Sequence, residues 1–132
     1  MAFLDRFSPQ LLSVLRIMAA LLFMEHGMTK LFGFPPTEMF ATAPPVGSLL
    51  WVAGALETVG GALLALGLFT RPVAFVLSGE MAVAYFVAHA PQAAFPAQNQ
   101  GDAAILFCFV FLYVAAAGPG PWALDSVLFR KK

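Results

Sequence analysis

The sequence predicts an all-α membrane protein: a bundle of four transmembrane helices with both termini on the cytoplasmic side. Three observations predict it. Hydrophobic residues make up 61% of the 132 positions and charged residues only 11%, whereas a soluble domain is about half apolar and about a quarter charged. The apolar residues gather in four stretches separated by proline and glycine clusters. Basic residues fall mainly on one side of the four crossings that these stretches imply. The formal net charge of +0 offers no basic surface for nucleic acid. Cys108 is the only cysteine, which excludes an intrachain disulfide and a cysteine-built metal cluster.

A helix needs about 20 mainly apolar residues to cross roughly 30 Å of hydrocarbon. The first helix is expected over about residues 9–33, with Ser8 as its cap and Pro9 in its first turn. It is longer than a secretory apolar region, carries charges through its centre and precedes three more apolar segments, so it reads as a retained helix. The second is expected over about residues 46–69, after the breaker Ala43-Pro44-Pro45. The third covers about residues 72–90, with Thr70 as its cap and a tight antiparallel turn joining it to the second. The fourth, about residues 102–117, stops at Gly118-Pro119-Gly120-Pro121 and is short for a full span. The whole chain, residues 1–132, reads as one domain, with no linker, low-complexity tract or internal repeat.

Four crossings place Arg6, Arg71, Arg130, Lys131 and Lys132 on one side, and the positive-inside rule makes that side cytoplasmic. Trp51 and Trp122 suit the interfacial belts. The proline-rich loops at residues 34–45 and 91–101 then cap the outer end.

Ionisable groups inside a membrane helix are costly and face the bundle interior or a wet cavity. At about 1.5 Å of rise per residue, Arg16, Glu57 and Glu80 lie near the middle, and His26, Lys30, His89 and Asp102 in the outer third. At about 100° per residue, Arg16 and Lys30 share one face of the first helix, His26 sits on its shoulder, and Glu25 points the opposite way. Gly54, Glu57 and Gly61 share a face of the second helix, so Glu57 is expected against the first helix with Arg16 as counter-ion. Such a buried pair serves helix register at least as well as chemistry. His26 reads equally as a packing histidine, Lys30 as a snorkelling lysine and Cys108 as a small buried hydrophobe. Glu80 and His89 differ by about half a turn in angle, so only His89, with Tyr85 beside it and Asp102 at similar depth, is placed inside.

The ligand-binding candidates are therefore His26, Lys30, Tyr85, His89 and Asp102, above a buried polar network of Arg16 and Glu57. His26 and Asp102 are the candidate catalytic pair, because imidazole and carboxylate groups exchange protons in acid–base work. Two histidines without a carboxylate-rich motif give no metal site and little support for haem. No phosphate loop, dinucleotide fingerprint, nucleophile elbow or HExxH pattern occurs.

Several pieces in order carry a family likeness: Leu15-Arg16, His26-Gly27, Lys30-Leu31, Glu57-Thr-Val-Gly-Gly61 and Leu66-Gly-Leu-Phe-Thr-Arg71. His89, Gly101-Asp102, Gly118-Pro119-Gly120 and Leu124-Asp125 complete it. This set resembles the DoxX family of small bacterial inner-membrane proteins, and the likeness runs over nearly the whole chain. The family often has glutamate where this chain has Asp102, and Glu80 is outside the pattern. The resemblance implies a multi-pass subunit linked to quinone-dependent oxidation of sulfur compounds or to redox-stress complexes. A quinone is the only cofactor it suggests. If the chain is an enzyme, it is a quinone-linked oxidoreductase subunit. The rival readings are an accessory scaffold for a partner oxidoreductase and a small proton-coupled transporter. The expected partners are membrane lipids and either another protein or a second copy of the chain.

Overall fold

The computed structural model describes residues 2–129. Three long apolar helices and one shorter apolar helix pack as an antiparallel bundle. We label them α1 (Ser8–Phe32), α2 (Leu49–Leu66), α3 (Thr70–Ala84, continued by a wider π turn at Tyr85–His89) and α4 (Asp102–Ala117). By length and apolarity, α1, α2 and α3 with its π turn each suffice to cross a membrane. With 16 residues, α4 is shorter, at about 24 Å. Short helical turns at Ala2–Asp5, Glu38–Phe40, Pro96–Asn99 and Asp125–Leu128 flank the bundle.

The boundaries follow local chemistry. Pro9 fits the first turn of α1, but Ser8 is already helical and no side chain caps that end. Gly33 ends α1 in the left-handed conformation, which glycine adopts without Cβ strain. Helix α2 is shorter than the sequence suggests because its stop signals lie inside the apolar run. The Ser48 hydroxyl accepts from the Trp51 N–H at 3.2 Å, and Gly67 turns left-handed at the other end. Thr70 begins α3 rather than capping it. The cap comes from a distant residue: the Asp125 carboxylate accepts the N–H groups of Phe69 and Thr70, each at 2.8 Å. This satisfies donors that a helix start otherwise leaves free.

Packing is most extensive between α1 and α2, then between α3 and α4. Glycines set the first of these contacts. A Cβ on Gly27 would lie 2.6 Å from the Thr58 backbone nitrogen and 2.7 Å from the Gly54 carbonyl oxygen. A Cβ on Gly61 would meet the Ala20 carbonyl oxygen and Met24 at 3.0 and 2.8 Å. The two backbones therefore touch, as small residues allow in membrane helices. The core holds Phe23, Leu64, Leu77, Phe111 and Val114. The Phe23 ring lies 5.3 Å from that of Phe107 and 4.9 Å from that of Phe111. Much of the outer surface is large and apolar, including Phe75, Phe86 and Phe109, as expected where lipid is the solvent. Arg130, Lys131 and Lys132, which enter the charge argument for sidedness, lie outside the described residues.

Candidate functional site

The polar residues sort into three groups along the bundle. The first closes the end where α1 begins and α4 finishes. Arg16 is 1% exposed. Its guanidinium donates to the carbonyls of Leu64, Ala65 (2.9 Å), Pro119 (2.8 Å) and Trp122 (2.5 Å). The expected Arg16–Glu57 pair does not form. Arg16 lies against Gly67, with a Cβ there 3.1 Å from the Arg16 Cζ. Glu57 lies seven positions before Leu64 and ten before Gly67, roughly 10–15 Å by helical rise toward the start of α2. Arg16 instead holds the segment after α4, together with Ser13, whose hydroxyl accepts from the Trp122 N–H at 3.1 Å. Arg71 donates to the last carbonyls of α4, at Ala115 (2.9 Å) and Ala116 (2.5 Å). Asp125 is close enough to feel the Arg16 charge. Burial alone pushes its carboxyl up, but hydrogen bonds from Thr70 and Phe69, with Arg16, outweigh this and hold it below its ordinary value.

The second group lies inside the bundle. The Lys30 Nζ donates to Glu57 Oε1 at 2.5 Å. Glu57 is 2% exposed, and the Lys30 side chain is 14% exposed. Lys30 therefore reaches inward to α2 instead of snorkelling to the surface. Glu80 on α3 comes to the level of Glu57. The register explains the shared level. Gly60 takes the Leu77 side chain, to which a Cβ would approach within 2.8 Å. Glu57 and Glu80 each lie three residues, about one turn, from that contact, on the same side of it. Glu57 Oε2 and both Glu80 oxygens are buried without a hydrogen-bond partner among the described residues. Two carboxyl groups and one ammonium from three helices thus lie at one level of the bundle, with three buried acceptor oxygens lacking a partner among the described residues.

The third group lies at the far end. The His89 Nδ1–H donates to the Asn99 carbonyl at 2.9 Å, and its ring stacks on Tyr85 with centroids 6.5 Å apart. Asn99 is fully buried; its amide donates to the Ala93 carbonyl and its side-chain oxygen accepts from the Gly101 N–H. Here the expected neighbourhood is only partly assembled. Asp102 is exposed in the first turn of α4 and makes no hydrogen bond among the described residues. His26 is exposed on the flank of α1. Its Nδ1–H donates to the Leu22 carbonyl at 2.8 Å, and its ring stands edge-on to Phe107. So His26 and Asp102 do not form a pair, and the five predicted ligand residues do not line one pocket. Only Lys30 enters the interior cluster, while His89 and Tyr85 serve the far-end loop.

Sequence reasoning placed Glu80 off the interior face and gave Asn99 and Asp125 no place in the site. For Glu80, the uniform 100° step was the obstacle, because the π turn at Tyr85–His89 holds more residues per turn. It shifts the phase so that Glu80 and His89 both turn away from lipid. For Asp125, the signal was its place in the Leu124-Asp125 piece of the family pattern.

Comparison with known proteins bears on this arrangement. The DoxX family model matches residues 11–90, which include the Lys30–Glu57–Glu80 cluster and Arg16. This chain belongs to the DoxX family. An uncharacterised protein of Haemophilus influenzae is 42% identical over 131 residues, covering 97% of this chain and 98% of that protein. The inner membrane protein YqjF of Escherichia coli is 29% identical over 125 residues, covering 89% of this chain and 92% of that protein. No solved structure matches. With its apolar helices, this DoxX chain is a multi-pass protein of the bacterial inner membrane. Asp102 and the segment from Gly118 to Asp125 fall beyond the family match but within the span shared with the Haemophilus relative.

Proposed function

We propose that this DoxX protein is a membrane subunit of redox metabolism or redox-stress defence. It binds the head of a quinone-like or other small amphipathic ligand at Lys30, Glu57 and Glu80, and exchanges protons with it there. One observation carries this reading: three buried carboxyl oxygens of Glu57 and Glu80 have no hydrogen-bond partner among the described residues, at the level of the Lys30–Glu57 ion pair. Intramembrane ionisable groups mark ligand and proton pathways. Carboxylates accept hydrogen bonds from hydroxyl groups, and the Lys30 ammonium donates to a carbonyl. An apolar groove of about 380 Å³ runs between α2 and α3, lined by Trp51, Val59, Val76 and others, with Gly60 and Leu77 among its walls. It suits the ligand's tail, because Gly60 and Leu77 stand one turn from Glu57 and Glu80. Membership of the DoxX family supports the redox setting.

The test is binding of ubiquinone and menaquinone to the protein purified in mild detergent. Glu57→Gln, Glu80→Gln and Lys30→Met each weaken binding, whereas His26→Ala and Asp102→Asn leave it unchanged. Equal affinity in all five variants would sink the site. Proton flux into proteoliposomes that depends on Glu57 and Glu80 without any quinone effect would favour a proton-coupled transporter instead.

A further inference from the structure

On the outward face of α1, Leu11, Leu15, Met18 and Leu22 are 51, 41, 52 and 51% exposed. Their spacing of four, three and four residues is the repeat that runs straight along a left-handed helix pair. On the same repeat the next position is Glu25, which continues the stripe, and His26 lies beside it. Both are exposed, although they lie about 10 Å along the helix from its Phe32 end. Glu25 makes no hydrogen bond or ion pair among the described residues. The His26 Nδ1–H is used by the Leu22 carbonyl, which leaves Nε2 pointing away from its own backbone. An acid and a base left facing hydrocarbon are costly and call for a partner.

We propose that the partner is a second copy of this chain, packed in parallel along the α1 stripe, with Glu25 of each copy hydrogen-bonded to His26 Nε2 of the other. The surface itself argues for this occupant. Copies inserted by the same charge rule share one orientation, and a two-fold axis along the membrane normal brings matching depths together. A seam residue then packs into a hole that includes the partner copy of the residue beside it. Glu25 and His26 differ in depth by only about 1.5 Å. One proton per pair satisfies the contact, whichever group carries it. The stripe is therefore self-complementary in charge as well as apolar.

The test is cysteine cross-linking in native membranes, in a Cys108→Ala background. Leu22→Cys gives a disulfide-linked dimer on oxidation. Val59→Cys, on the exposed face of α2, does not. Glu25→His and His26→Glu each break both reciprocal bonds and cut dimer yield by roughly eightfold, the joint effect of two interhelical hydrogen bonds. The double exchange, Glu25→His with His26→Glu, rebuilds the pairs and restores the yield. Detergent melting of each variant checks that the fold is intact. The proposal is overturned if Leu22→Cys links no better than Val59→Cys or captures a different protein. It is equally overturned if both single variants dimerise like the parent.

Discussion

Lys30 on α1 and Glu57 on α2 form an ion pair at 2.5 Å inside the bundle, and Gly54 makes it possible. A Cβ at Gly54 would approach the Lys30 Cβ within 3.2 Å, so the lysine stem lies flat against α2 and its ammonium reaches Glu57. Removing one partner from a buried pair strands the other charge, which costs about 3–5 kcal/mol, whereas replacing both by apolar groups is often neutral. Lys30→Met should therefore destabilise the protein by about that amount, and Lys30→Met with Glu57→Leu should recover most of it. Unfolding in mixed micelles, followed by tryptophan fluorescence, measures both. If the double variant is no more stable than Lys30→Met, the pair is not the dominant interaction of Glu57.

The four apolar helices, the opposed directions of Glu25 and Lys30 and the burial of Arg16 and Glu57 were legible in the sequence. They follow from hydropathy, helical angle and the cost of buried charge. The partners were not legible. Arg16 and Glu57 sit at similar depths only if α1 and α2 are aligned by their apolar lengths. Their register is instead fixed by Gly27 against Thr58 and Gly61 against Ala20. That Glu80 and His89 both turn inward depends on a π turn that hydropathy does not encode. His26 was misplaced because an angle at the edge of a helix face does not say whether a neighbour covers it.

Arg16 binds four backbone carbonyls with a planar fork of donors, a geometry that a lysine point charge does not reproduce. Arg16→Lys keeps the charge yet leaves several of these buried acceptors unpaired, each at about 1–3 kcal/mol. The loss should fall on the segment from Pro119 to Trp122. Limited proteolysis should therefore cut Arg16→Lys after α4 much faster than wild type, with the α1–α2 hairpin still protected. Equal rates would mean that the clasp holds without the fork.

The glycines of the α1–α2 contact should be the least replaceable small residues. Gly27→Ala puts a methyl within 2.6 Å of backbone that cannot move aside, so the helices must separate and the Lys30–Glu57 pair opens with them. Gly79→Ala is the control, since nothing lies within 4 Å of its Cβ position. There the gain in helix propensity, about 1 kcal/mol, should show as neutral or slightly stabilising. Melting temperatures in one detergent compare the two directly, and similar values would refute a backbone-to-backbone contact.

Asp125 gives the protein an acid-sensitive joint. It ties the segment after α4 to the start of α3 through Phe69 and Thr70. Its carboxyl is held below its ordinary value in the folded state, so the folded chain binds the proton less readily than the unfolded one. The resulting stability is complete above the ordinary aspartate value of about 3.9 and is lost as pH falls through the lowered folded value. Wild type should therefore lose stability on acidification across that window. Asp125→Asn keeps one oxygen for a helix-start N–H but has no charge to titrate. It should be less stable at neutral pH, where it lacks the attraction to Arg16 and one acceptor, and should converge on wild type in acid. Thermal unfolding at a series of pH values measures the gap between the two curves. A gap that stays constant from neutral to acid would show that Asp125 acts by shape alone.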